Sequence, residues 1–383
     1  MDISLQLFTG SCVAPADLNI RLLEAKIRRI LQKVKITSMF VGWHKDIDIS
    51  DIIKMLKDNG TEVFLWLPVF SELDALTSFS PLIGYNREKV EIDFDMGNGE
   101  NFVFCCPSSN INNVIEVYEK YFSSEIYDGV FLDKIRYPSF IGGISPILTC
   151  FCDNCMAAYG LHDPAPLAAY GLHDPAQFFM ADSVNPLGLT GYKDLRYGLD
   201  DRIKKLFDFK CDVIYHALES LCAYFRDKGL KIGFDLFAPF LAYFVGQDYY
   251  KLSGLADIVK PMFYGITNAP AGIPFEIDMY AKAFDSSPVN AEKRRNLLMD
   301  CIGFEDDLIG REIDGIKQII KSNAQNTKLY AGIEFNRIER IAPVTSDYIM
   351  ESITRVSRAD GIVASWDLNT IPDSHIDCLL DTI

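Results

Sequence analysis

Four carboxylates stand at the ends of short apolar runs: Asp133 closes Gly129-Val-Phe-Leu-Asp133, Asp235 lies in Ile232-Gly-Phe-Asp235-Leu-Phe, Glu334 closes Tyr330-Ala-Gly-Ile-Glu334, and Asp367 follows Val363-Ala-Ser-Trp366. One such residue is as readily a helix cap or an ion-pair partner as a catalytic group. Four converging on one mouth are harder to explain structurally, because like charges in a shared cleft cost stability unless function retains them. Glycoside hydrolysis needs this equipment. One carboxyl, kept protonated by its surroundings, donates to the leaving oxygen, while another attacks the anomeric carbon or activates water. Lys134, Arg136 and Tyr137 follow Asp133 directly. A cation beside a carboxylate keeps it ionised, which suits Asp133 to the role of nucleophile or charge stabiliser. Glu334, in an apolar strand, is the preferred proton donor, with Asp235 competing for that role.

Flat rings suit the apolar faces of pyranoses, and indole and phenol groups add hydrogen bonds. Trp43 and His44 close one apolar run, Tyr264 closes another, and Trp366 adjoins Asp367. With Arg136, Tyr137 and Asp367 these are the candidate substrate contacts, whereas Trp66, in mid-strand, reads as core. Hard divalent cations also collect carboxylates, but His44 is the one histidine at a matching strand end, and no catalytic metal or cofactor is expected. The dense thiol cluster is Cys150-Phe-Cys152-Asp-Asn-Cys155. Three readings stay open for it: a structural zinc site completed by Cys105, Cys106 or His162, a redox disulfide, or ordinary reduced thiols. Cys211 and Cys222 fall in a helical pattern and read as core.

Positioning such groups at one mouth requires repeated strand–helix units, and the chain alternates in that way. Strands are predicted at Ser4–Thr9, Ser38–Trp43, Glu62–Val69, Gly129–Lys134, Lys231–Ala238, Ile258–Tyr264, Leu329–Phe335 and Ile362–Leu368. Most are nearly continuous apolar runs, as parallel strands covered on both faces must be. Apolar residues at i, i+3, i+4 predict helices over Leu18–Val34, Ser50–Asn59, Asn113–Ser123, Asp201–Lys228, Gly310–Ser322 and Asp347–Arg358. Asp58-Asn59-Gly60 and Asp227-Lys228-Gly229 supply helix-ending residues. Eight units predict a closed (β/α)8 TIM barrel, an α/β fold, as one domain over 1–383. An open doubly wound sheet is the alternative, but Phe8-Thr9-Gly10-Ser11 is too little for a phosphate-binding fingerprint. Long inserts, about 71–110 and 140–200, follow the third and fourth strands and should wall the cleft. The second carries a tandem repeat, Ala157–Ala165 recurring as Ala168–Ala176, read as a local duplication.

Hydrophobic residues make up 49% of the 383, enough for a large core, and the formal charge of −16 argues against nucleic-acid or anionic-membrane partners. The basic run Lys293-Arg294-Arg295 reads as a solvated helix face. No basic segment followed by a long apolar stretch opens the sequence, and no run nears the roughly 18 apolar residues of a spanning helix. Together with ten cysteines, this predicts a cytoplasmic protein with reduced thiols.

The stretch Tyr127-Asp-Gly-Val-Phe-Leu-Asp133-Lys-Ile-Arg-Tyr-Pro138 resembles the fourth-strand signature of the glycosyl-hydrolase-like families with TIM-barrel folds. There an Asp-Gly-hydrophobic-hydrophobic-Asp run leads into an Arg-Tyr/Phe-Pro turn. Asp235-Leu-Phe-Ala-Pro239, Val245-Gly-Gln-Asp248, Asp257-Ile-Val-Lys-Pro-Met-Phe-Tyr264 and Asp360-Gly-Ile-Val-Ala-Ser-Trp-Asp367 have the same character. The resemblance spans strands 4 to 8 and implies the fold more firmly than the substrate. By it, Asp133 maps onto the acidic residue at the end of strand 4.

The expected function is therefore a glycoside hydrolase acting on an oligosaccharide or glycoconjugate. The alternatives are a barrel that binds carbohydrate without cleaving it, and a metal-dependent lyase or aldolase acting on a sugar acid.

Overall fold

The computed structural model describes residues 1–7, 19–42, 48–71, 80–85, 87–90, 92, 108–122, 126–158, 182–305, 307–323 and 326–382. Eight strands form the expected closed barrel: β1 Asp2–Leu7, β2 Ser38–Gly42, β3 Glu62–Pro68, β4 Gly129–Asp133, β5 Lys231–Phe237, β6 Ile258–Met262, β7 Lys328–Glu334 and β8 Gly361–Ser365. Each strand pairs in parallel with its sequence neighbours, and β8 closes onto β1 with Ile3 opposite Ile362.

Period-two alternation makes each strand two-faced. Leu5 and Leu7, Met39 and Val41, Val63 and Leu65, Val130 and Leu132, Ile232 and Phe234 pack outward in one large cluster with the helices. Their alternates Phe40, Phe64, Trp66, Phe131, Ile258, Tyr330 and Val363 form a separate cluster inside the barrel. Phe40 stacks on Phe131 with ring centroids 4.0 Å apart, so the barrel is plugged, and Trp66 belongs to the plug as expected. Fully burying each such side chain contributes about 1.5–3 kcal/mol.

The surrounding helices are α1 Ile20–Leu31, α2 Ser50–Asp58, α3 Ser108–Tyr121, α4 Asp201–Asp227, α5 Ile273–Lys282, α6 Pro288–Ile302, α7 Leu308–Ser322, α8 Ser346–Arg355 and α9 Asp373–Thr382. Asn19 caps α1, Asp200 caps α4 and Asp307 caps α7 by accepting an N–H of the first turn. Gly60 and Gly229 follow α2 and α4 with positive φ, where a helix-ending residue must turn left-handed. Cys211 and Cys222 are core residues of α4. Among the described residues, no helix is long and apolar enough to cross a membrane.

Helices α5 and α9 lie outside the predicted set; α6 carries the basic run, with Lys293 and Arg295 exposed as expected and Arg294 a correction to that reading. Arg294 is fully buried. Its guanidinium pairs with Asp285 at 2.9 Å and donates to the Ala281 carbonyl at 2.7 Å and to the Ser183 carbonyl. A planar fork with every arm satisfied tolerates burial that a lone charge does not.

Phe8, Thr9, most of the tandem repeat and much of both inserts lie outside the described residues. The described parts of the inserts meet each other. Phe151 N–H donates to the Ile83 carbonyl at 2.8 Å, and Gly84 bridges Thr149.

Candidate active site

Asp133 and Asp235 sit side by side at the C-terminal mouth because the sheet register requires it. Leu132 pairs with Phe234 across β4 and β5, and the next step brings Asp133 beside Asp235. Asp133 is partly exposed and accepts the Lys134 N–H, whereas Asp235 is only 2% exposed. Lys260 lies opposite Asp235 in the β5–β6 register. Its ammonium, also fully buried, donates to Asp235 Oδ2 at 2.7 Å and to the Tyr264 hydroxyl at 2.8 Å.

Burial pushes the Asp235 carboxyl up to about 7; the Lys260 charge opposes that rise and the Asp133 charge adds to it. Lys260 itself is held above its ordinary range: burial works to lower it, and the Asp235 and Tyr264 oxygens outweigh that. Among the described residues, Asp235 Oδ1 has no hydrogen-bond partner, nor have Gln6 Oε1 and Trp66 Nε1. Gln6 alternates with Leu5 and Leu7, which pack outward, so its amide joins Trp66 and Asp235 on the inner face.

Glu334 ends β7 and is 1% exposed. Oε1 accepts Ile266 N–H at 3.0 Å, Thr267 N–H at 3.1 Å and the Thr267 hydroxyl at 2.9 Å, and Oε2 accepts the Tyr348 hydroxyl at 2.6 Å. Two of these donors are peptide groups that can only donate, so Oε1 is fixed as an acceptor.

Tyr264 and Trp366 meet edge to face at 5.9 Å, beyond the ends of β6 and β8. Asp367 turns the chain after β8, its Oδ1 accepting Asn369 N–H at 3.0 Å, while Asn336 Oδ1 accepts the Trp366 and Asp367 N–H groups. Arg136 stacks over Phe237, the last residue of β5, with its guanidinium carbon 4.3 Å from the ring centroid. Tyr137 is fully buried beneath the Lys210 ammonium, and its N–H donates to the Val245 carbonyl at 2.9 Å. Trp43 and His44 lie outside the described residues, as do Cys105, Cys106 and His162.

Lys260, Gln6, Thr267 and Tyr348 were not among the sequence candidates. Lys260 did leave a signal, a charge in the middle of the apolar run Ile258-Val-Lys260-Pro-Met262. Among the described residues, the one group of three or more side chains suited to hold a metal ion is Cys150, Cys152 and Cys155.

No protein-family model matches the chain, and no curated protein matches it in sequence. Solved structures share its fold. The glycoside hydrolase domain of PgaB (BpsB) from Bordetella bronchiseptica superposes with a TM-score of 0.55 at 13% identity, over 100% of this chain and 98% of that one. The beta-galactosidase of the psychrophilic Marinomonas ef1 gives a TM-score of 0.50 at 12% identity, over 95% of this chain and 54% of that one. The chain therefore has the barrel fold found in glycoside hydrolase domains.

Proposed function

We propose that the protein is a glycoside hydrolase whose working carboxyls are Asp133 and Asp235. The observation that carries this reading is their adjacency at the barrel mouth in unlike surroundings, one partly exposed and one buried against Lys260. A pair whose environments separate their proton affinities is what divided acid and base roles require. Asp235 is the proton donor, since burial raises the affinity of its carboxyl for a proton and its Oδ1 has no hydrogen-bond partner among the described residues. Glu334 is less suited to that role, because its carboxylate is occupied by donors on both oxygens. Asp133 stabilises or attacks the anomeric centre, and Tyr264 and Trp366 face the sugar. The names of the two neighbours, a glycoside hydrolase domain and a beta-galactosidase, support the same class.

The test is hydrolysis of a panel of nitrophenyl glycosides of both anomers and of reduced oligosaccharides, by the wild type and by Asp133→Asn and Asp235→Asn. Each variant should keep its circular dichroism spectrum and lose roughly 10²–10⁴-fold in kcat/KM. Near-normal turnover in either variant would overturn its assignment. The non-cleaving reading has its own motive, since Lys260 can neutralise Asp235. Saturable sugar binding to the wild type without turnover across the panel would favour it.

A further inference from the structure

The cysteine motif is not used by the chemistry proposed at the barrel mouth, yet its geometry is that of a ligand set. Cys150, Cys152 and Cys155 come from one turn that ends in the short helix Asp153–Ala158, and their sulfurs all lie within 4.8 Å of one another. Around a tetrahedral zinc ion with Zn–S bonds near 2.3 Å, sulfurs stand roughly 3.8 Å apart, so small side-chain movements suffice. Cys150 and Cys155 are buried and Cys152 is half-buried, so the cluster lies mostly inside the protein.

Two peptide groups are directed at the sulfurs. Ile83 N–H donates to Cys150 Sγ at 3.4 Å, and Cys155 N–H donates to Cys152 Sγ at 3.5 Å. Such donors favour thiolate over thiol and orient a metal's ligands. A disulfide would use two of the three sulfurs and leave the third, whereas an ion uses all of them. Arg87 locks the frame by donating to the Phe151 carbonyl at 2.6 Å and pairing with Asp153 at 2.7 Å.

We propose that Cys150, Cys152 and Cys155 bind one structural zinc ion, with a fourth donor completing the tetrahedron. On binding, the three thiols release their protons to solvent and each sulfur gives an electron pair to the metal, with no change of oxidation state. The ion joins the insert after β4 to the one after β3, because the Cys150 sulfur and the Phe151 peptide are both bonded to Ile83. It therefore has a structural role and takes no part in the reaction.

Elemental analysis of the full-length protein purified under reducing conditions should give about one zinc per chain. Cobalt(II) titrated into chelator-treated protein should produce thiolate-to-metal charge-transfer absorption and the visible bands of a tetrahedral site. Cys152→Ser should lose the metal, Cys152→His should retain it because imidazole is an equivalent zinc ligand, and Cys301→Ser should be unaffected. Folded wild-type protein that neither carries zinc nor takes up zinc or cobalt would overturn the proposal. So would an intramolecular disulfide among the three cysteines detected by mass spectrometry of freshly purified protein. Wild-type stoichiometry decides the matter even if a variant fails to fold.

Discussion

Asp235 and Lys260 face each other with almost no solvent between them, so each sets the proton affinity of the other. The ammonium favours the ionised carboxylate, and removing it leaves burial and the Asp133 charge to push the carboxyl higher. If Asp235 is the proton donor, kcat/KM of the wild type falls as pH rises through about 7. In Lys260→Met that alkaline limb should move upward by roughly 1–3 pH units. Stability follows the same sign. A buried carboxyl with a raised affinity favours folding fully below its unfolded value and loses that contribution as pH rises through its folded value. The variant should therefore melt progressively earlier than the wild type toward pH 9. A pH–rate profile whose limb stays in place would remove Asp235 from the acid role. The carboxylates were legible in the sequence because each interrupts an apolar strand near its end. Lys260 showed only as a charge in an apolar run; its pairing was not legible, because its partner is 25 residues away and only the strand register brings them together.

Glu334 works at the scale of elements, since one carboxylate joins the end of β7 to the turn after β6 and to α8. Ile266 and Thr267 bond one oxygen, and Tyr348 bonds the other while accepting Gly265 N–H at 3.1 Å. The turn so held begins one residue after Tyr264, which places that ring against Trp366. Tyr348→Phe removes a hydrogen bond to a buried charge and should cost about 1.5–3 kcal/mol in denaturant melts. If Tyr264 faces the sugar as proposed, the loosened turn should raise KM more than it lowers kcat. Unchanged KM alongside the stability loss would confine the clamp to a folding role. Most elements were legible from apolar spacing, and α6 shows where that signal fails. Its buried stripe is Arg294, Leu298 and Ile302, so one of three core positions is an arginine that hydrophobic periodicity reads as surface. Asp285 and the Ala281 and Ser183 carbonyls, all outside the helix, explain the burial.

At several places in the barrel, a glycine on one strand makes room for a group on the next. A Cβ on Gly129 would meet the Phe64 ring at 2.5 Å, one on Gly233 would strike Phe131, and one on Gly361 would lie 2.7 Å from the Asp2 carbonyl. These pairs follow the register, Phe64 opposite Gly129 and Phe131 opposite Gly233, so large and small residues alternate around the taper. Gly332 extends the pattern from the plug to the site, because its Cβ would collide with Lys260 Cε. Lys260 has no freedom to retreat, since its ammonium is fixed by Asp235 and Tyr264. Gly332→Ala and Gly233→Ala should each cost about 1–3 kcal/mol through overpacking. Their kinetics should differ. Gly332→Ala displaces the ammonium from Asp235 and should shift the alkaline limb in the same direction as Lys260→Met. Gly233→Ala presses on Phe131, which lies in the plug, and should leave the limb where it is. Equal limbs in the two variants at equal stability loss would mean that Lys260 is positioned by its polar partners alone. Separate limbs would mean that the packing of the barrel interior sets the proton affinity at its mouth.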